Sequence, residues 1–169
     1  MKTGPRYHVK PRRHREHKTD YRRRLRLLRS NKPRIVVRQS LKTIRVQFVT
    51  FSPEGDKVLA SAVSNELKTH YSWKHSMSST PAAYLTGLLA GKRAKEQGIK
   101  EGILDIGLHH PTVGGKLFAS LKGVLDAGIV CPHDKGMFPK DDRLYGAHIN
   151  KEIKPLVGEI KNKITGGKE

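Results

Sequence analysis

Residues 34–63 read RIVVRQSLKTIRVQFVTFSPEGDKVLASAV, and this stretch decides the fold. Arg34–Gln39 is short and rich in β-branched side chains. Across residues 43–51, Ile44, Val46 and Phe48 alternate with Arg45 and Gln47, and Val49 and Phe51 fall on the second face. That period of two marks a half-buried strand. Ser52-Pro53-Glu54-Gly55-Asp56 is turn chemistry: proline presets its φ and glycine is free to take a positive one. Lys57–Val63 is a third β run. Connections this short join antiparallel neighbours, so the segment is a three-strand meander.

Downstream the period changes. Thr80 and Pro81 read as N-cap and first residue of a helix running to Gln97, with Leu85, Leu88 and Leu89 on its inner face and Gly98 just past its end. Gly87 and Gly91 lie one turn apart and would let that helix pack closely on the sheet. Ile103–Gly107 is a short buried strand. A second helix over about 113–127 carries Leu117, Phe118, Leu121, Val124 and Leu125 at helical spacing, with Gly128 closing it and Ile129-Val130 as a further short strand. Residues 132–150 read as an irregular loop, and Lys151–Ile164 as a final helix aligning Ile153, Leu156, Val157, Ile160 and Ile164. The order is β-β-β-α-β-α. Helical crossovers make the fourth strand parallel, so an α/β sheet with packed helices is expected, in a ribonuclease H-like topology. Three parts follow: a basic arm and helix at 1–33, an α/β domain at 34–131, and a loop with a C-terminal helix at 132–169.

Upstream of the meander the chain is cationic. The 169 residues hold 34 Lys plus Arg against 15 Asp plus Glu, a net of +19. Residues 1–45 account for +15 of that excess and residues 46–169 for only +4. Gly4, Pro5 and Pro11 among the first fifteen residues support no core, so an extended arm without structure of its own is expected there. Thr19 and Asp20 are candidate caps for a helix over Tyr21–Ser30, ended by Asn31, Lys32 and Pro33. Its apolar stripe (Tyr21, Leu25 and Leu28) is narrow, and arginine covers the remainder. So concentrated a charge repels itself unless a polyanion compensates it. A membrane surface is the poorer match, because the stripe lacks Trp and Phe. No stretch approaches the roughly 20 apolar residues that cross a bilayer. The N-terminus has no apolar core of a secretory signal, and Cys131, the only cysteine, can form no internal disulfide, which fits a reducing cytosol.

Arginine presents a planar fork of donors that suits phosphate and stacks on bases. The expected RNA contacts are therefore Arg6, Lys10, Arg12, Arg13, Arg15, Lys18, Arg22, Arg23, Arg24, Arg26 and Arg29, with Arg34, Arg38 and Arg45 behind them. No zinc-finger spacing, basic zipper or helix-turn-helix favours duplex DNA, whereas irregular RNA is read by arginine and aromatic rings. His70, Tyr71, Trp73, Lys74 and His75 interleave rings with charge. Trp73 is read as closing the core, with base stacking as the alternative, and Lys74 and His75 as facing phosphate.

Catalytic readings lack parts. Val113-Gly114-Gly115-Lys116-Leu117 resembles a phosphate loop, but His110 stands where its leading glycine belongs and Leu117 where Ser or Thr belongs. His109-His110 has no partner at metal-ligand spacing, and Cys131 reads as a small buried apolar residue. A two-metal nuclease needs clustered carboxylates, yet residues 34–51 contain none, leaving Asp105 and Asp126 isolated. A non-enzymatic RNA binder without cofactor or metal is expected, with a DNA-compacting protein and a nuclease as the alternatives.

Several motifs are specific. Arg22–Leu28, Lys32–Arg38, Gly55–Ala62, Thr80–Gly91, Leu104–Leu108, Phe118–Gly123 and Asp141–Gly146 together resemble the universal large-subunit ribosomal protein eighteen family, in its archaeal and eukaryotic branch. The likeness extends to about residue 150. Tyr71-Ser72-Trp73 departs from that family's pattern, in which glycine precedes the tryptophan. The resemblance implies a cytoplasmic structural constituent of the large ribosomal subunit that binds 5S rRNA, links it to 23S rRNA at the central protuberance, and neighbours universal large-subunit protein five.

Overall fold

The computed structural model describes residues 4–166, so residues 1–3 of the expected arm and residues 167–169 of the C-terminal part lie outside the described residues. Strands β1 (Arg34–Gln39), β2 (Ile44–Thr50) and β3 (Lys57–Val63) form the antiparallel meander. Strand β4 (Ile103–Asp105) adds to β1 in parallel, giving the order β3-β2-β1-β4. The residues of one face, Ile35, Val37, Ile44, Val46, Phe48, Ala60 and Ala62, are all buried. The opposite face carries Arg34, Val36, Arg38, Arg45 and Gln47 in cross-strand register. Ile129-Val130 contributes a single parallel bridge, Val130 to Glu101, rather than a strand.

Helix α4 spans Thr80–Glu96 and α5 spans Lys116–Asp126. Both pack on the buried face of the sheet, α4 against β2 and β3 and α5 against β1. Ser79, one residue earlier than expected, caps α4 by accepting from the Ala82 N–H. The close approach predicted from Gly87 and Gly91 is made to α5, not to the sheet. A Cβ on Gly87 would sit 2.0 Å from the Ser120 carbonyl oxygen, and one on Gly123 would sit 2.1 Å from that of Tyr84. The two helix backbones therefore touch, and only glycine permits it. Helix α5 starts three residues later than its periodicity suggests, because Gly114 turns through a φ of 67° before Gly115 opens the helix.

Helix α3 (Asn65–Tyr71) has no counterpart in the order expected from the sequence; Leu67 is its single buried residue. It ends on Ser72, which adopts the left-handed conformation at φ 55° and ψ 31°, and this explains why glycine suits the position. The loop after residue 131 contains a 3-10 turn at Lys135–Met137 and the short helix α6 (Asp141–Leu144). Helix α7 (Ile153–Thr165) then returns to α4, burying Ile153, Val157, Ile160 and Ile164. Asp126 joins three helices: its carboxylate accepts from the Tyr84 hydroxyl at 2.8 Å and pairs with Lys122 and Lys161. Burial and that carboxylate push the Tyr84 hydroxyl well above the ordinary tyrosine range.

Candidate nucleic-acid interface

The arm is more ordered than expected. Pro11 opens one helical turn, α1 (Arg12–Arg15), held by Arg12–Glu16 and Lys18–Glu16 contacts and by Arg13 Nε donating to Thr19 Oγ1 at 2.9 Å. Helix α2 (Tyr21–Leu28) follows, and the Asp20 carboxylate caps it by accepting from the Arg22 and Arg23 N–H groups. Those bonds, Arg23 first, hold the Asp20 carboxyl below the usual carboxylate range against a smaller opposing effect of desolvation. Asn31 takes φ 53° just past the helix, and Pro33 leads into β1. The helix is rolled differently from its sequence stripe. Leu27 and Leu28 are half-buried, while Tyr21 and Leu25 stay exposed beside Phe51.

The expected RNA contacts divide sharply. Arg6, Lys10, Arg15, Arg22, Arg26 and Arg29 on the arm, and Arg45 on β2, are exposed and form no ion pair among the described residues. Arg12, Arg13 and Lys18 are exposed as well, but touch the arm itself. Arg23 is exposed and reaches the body, donating to the Gly107 carbonyl at 2.7 Å. Arg24 is half-buried, with Nη2 lying 2.9 Å from both oxygens of Asp56.

Arg34 is different in kind. It is buried, with Nη1 2.9 Å from Asp105 and Nη2 2.6 Å from Asp56, so those two groups hold carboxylates instead of facing a polyanion. Arg38 completes the cluster: Nη2 pairs with Asp105 at 3.1 Å, and Nη1 donates to the Asp105 and Val37 carbonyls. Asp105 also accepts from the Gly107 N–H. Burial pushes the Asp105 carboxyl up, but Arg38, the Gly107 N–H and Arg34 together outweigh it and hold the group below its ordinary value. The acid read as isolated is thus the hub of a structural ion-pair cluster. The cluster floors a cleft of about 350 Å³ between arm and body, whose rim includes Arg13, Lys18, Arg23 and His109.

Trp73 is a core residue. It is 1% exposed, and its indole Nε1 donates to the Ser76 carbonyl. Lys74 beside it is exposed, and His75 lies edge-on to the indole with ring centres 5.4 Å apart. A second cleft, on the far side of His109, is lined by His110, Ser78, Lys116 and Arg143. There Lys116 donates to the Ser78 hydroxyl, and Gly115 serves as the start of α5. Cys131 is buried, and desolvation pushes its thiol up, away from the reactive thiolate. No helix among the described residues is long and apolar enough to cross a membrane.

A family profile described as ribosomal large subunit proteins 60S L5 and 50S L18 matches residues 5–102 and 94–134. The chain is 53% identical over 149 residues to the large ribosomal subunit protein uL18 of Haloarcula marismortui, covering 88% of this chain and 79% of that one. It is 51% identical over 159 residues to the protein of the same name from Aeropyrum pernix, covering 94% and 74% of the two chains. With the one from Korarchaeum cryptofilum it shares 54% identity over 149 residues, covering 88% and 76%.

Proposed function

This chain belongs to the ribosomal large-subunit protein family of 60S L5 and 50S L18, and from that premise we propose that it binds 5S rRNA and links it to 23S rRNA at the central protuberance. It is a structural constituent of the large subunit of a cytoplasmic ribosome and not an enzyme. The observation that carries the RNA reading is the set of exposed arm cations that form no ion pair among the described residues: Arg6, Lys10, Arg15, Arg22, Arg26 and Arg29. Cations of this density repel one another unless a polyanion compensates them, and each that meets a nucleic-acid phosphate releases condensed counterions. Arg12, Arg13, Lys18, Arg23 and Arg24 belong to the same surface in this reading, because their contacts with the protein leave other guanidinium or ammonium donors unused. Arg45, Lys74, His75 and the outer side of Arg38 form a second contact zone on the body.

The division of labour follows the chain: residues 1–33 as RNA-binding arm, 34–131 as platform, and 132–169 as the element that buttresses α4. The strand order with β4 beside β1 supports a ribonuclease H-like topology for that platform. A neighbouring ribosomal protein, universal number five, would share the 5S RNA. If about eight cations neutralise phosphates, log affinity falls with log salt at a slope near −5 to −7. The test is a competition between 5S rRNA and random-sequence duplex DNA of equal length, at several salt concentrations, with magnesium present. Preferred binding of 5S rRNA without cleavage is expected; equal affinity for the two would point to nonspecific polyanion binding.

A further inference from the structure

We propose that Asp56 is a positioning residue for RNA binding: it latches the arm helix to the body, so that removing its negative charge weakens the hold on RNA. The inference rests on the RNA-binding reading above. It also runs against the simplest electrostatic expectation, since neutralising any acid on a polyanion-binding protein should strengthen binding.

The geometry points to the latch through two routes from α2 to one hub. Arg24 reaches Asp56, which shares its Oδ2 with the buried Arg34, and Arg34 pairs in turn with Asp105. One residue earlier, Arg23 donates to the Gly107 carbonyl, while the Gly107 N–H donates to Asp105. Successive arginines of the helix are thereby tied to the turn after β2 and to the turn after β4. Apolar packing holds the helix only weakly, because α2 has no fully buried residue: Leu27 and Leu28 are half-buried, and Tyr21 and Leu25 remain exposed. Nor can the helix stand alone: its 8 residues fall short of the roughly 12–15 an isolated helix needs in water. Polar contacts at Asp56 and Gly107 therefore decide where α2 lies, with Arg22, Arg26 and Arg29 turned outward. A helix already placed loses less conformational freedom when RNA arrives.

Glu54, two residues away on the same turn, is exposed and makes no ion pair among the described residues. It is the built-in control, since its removal changes the net charge by the same amount and touches no part of the latch. The experiment compares the full-length protein with D56N, E54Q and R24Q. It measures amide exchange over α2 in the free protein and the affinity for 5S rRNA at about 0.1 M salt, where the screening length is near 10 Å. Slow exchange over residues 24–28 is expected in the wild type and E54Q, and fast exchange in D56N and R24Q. D56N should bind 5S rRNA about three- to tenfold more weakly, as expected when the competent pose becomes a minority population, while E54Q binds equally well or slightly better. R24Q leaves the Asp56–Arg34 pair intact, so its exchange pattern answers the question even should D56N not fold. Equal or tighter RNA binding by a folded D56N, or the same α2 exchange in all four proteins, overturns the latch. Should the wild type itself not bind 5S rRNA, the RNA reading falls; loss of α2 protection in R24Q still supports the latch, and unchanged protection overturns it.

Discussion

On the arm, Arg22, Arg26 and Arg29 stand in water without a carboxylate partner among the described residues, while a few residues later Arg34 and Arg38 are turned onto Asp105. The residue type is the same and the purpose is opposite. Arg34 and Arg38 are neutralised internally and contribute to folding, whereas Arg22, Arg26 and Arg29, like Arg45 on β2, keep their charge open to an external anion in the proposed reading. Arg23 and Arg24 lie between the two regimes, carried on the arm yet bonded to the body. Position in the fold, not the abundance of charge, separates a structural arginine from a binding one.

Changes to the buried groups of the body should therefore move stability and leave the salt dependence of RNA binding alone. The largest effect is expected from Asp105→Asn. It strips a buried cluster of its hub, and loss of one partner of a buried ion pair destabilises by about 3 kcal/mol or more; chemical denaturation checks this. The same variant tests a pH dependence. The folded-state pKa of Asp105 lies below its unfolded value, so its contribution is complete above roughly pH 4 and is lost as pH falls through the folded value. The wild type should lose stability on acidification more steeply than D105N. Glu66, also held below its ordinary value as Arg93 and the Val63 N–H outweigh its desolvation, leaves both proteins some acid sensitivity.

Next in size is Gly87→Ala. The added methyl group would meet the Ser120 carbonyl, and prying α4 from α5 costs about 2–3 kcal/mol. A melting temperature unchanged by this substitution would contradict the backbone contact. On the arm the pattern reverses. Arg22→Ala, Arg26→Ala and Arg29→Ala should each lower 5S rRNA affinity less than tenfold and flatten the salt slope by about one, with unchanged melting. The smallest effect has the opposite sign: Ser72→Gly relieves a left-handed serine and should stabilise the body by up to about 1 kcal/mol. Thermal unfolding detects it, and a loss of stability would show that the serine makes an unrecognised favourable contact.

The meander and the amphipathic helices α5 and α7 were legible because their apolar residues repeat at the period of one buried face, and the parallel fourth strand because helical crossovers impose its direction. Helix α3 was not, since Leu67 alone enters the core and one residue has no period. Nor could the partner of Gly87 be read. Helix α4 is buried on nearly every side, so its sequence does not say which side meets the sheet and which meets α5. For the interface, the outward cations of the arm were visible as composition. The inward turn of Arg34 was not, because its partners Asp56 and Asp105 lie 22 and 71 residues away and meet it only when β1 pairs with β2 and β4 docks beside β1. The cap of α2, by contrast, was narrowed to Thr19 or Asp20 by local chemistry, and Asp20 fills it.

The measurement that bears most directly on the account is the affinity for 5S rRNA as a function of salt, for the whole protein and for a version lacking residues 1–30. A steep log–log slope of about −5 to −7 is expected for the whole protein, and a weaker, much flatter dependence for the shortened one. Equal affinities at every ionic strength would contradict it.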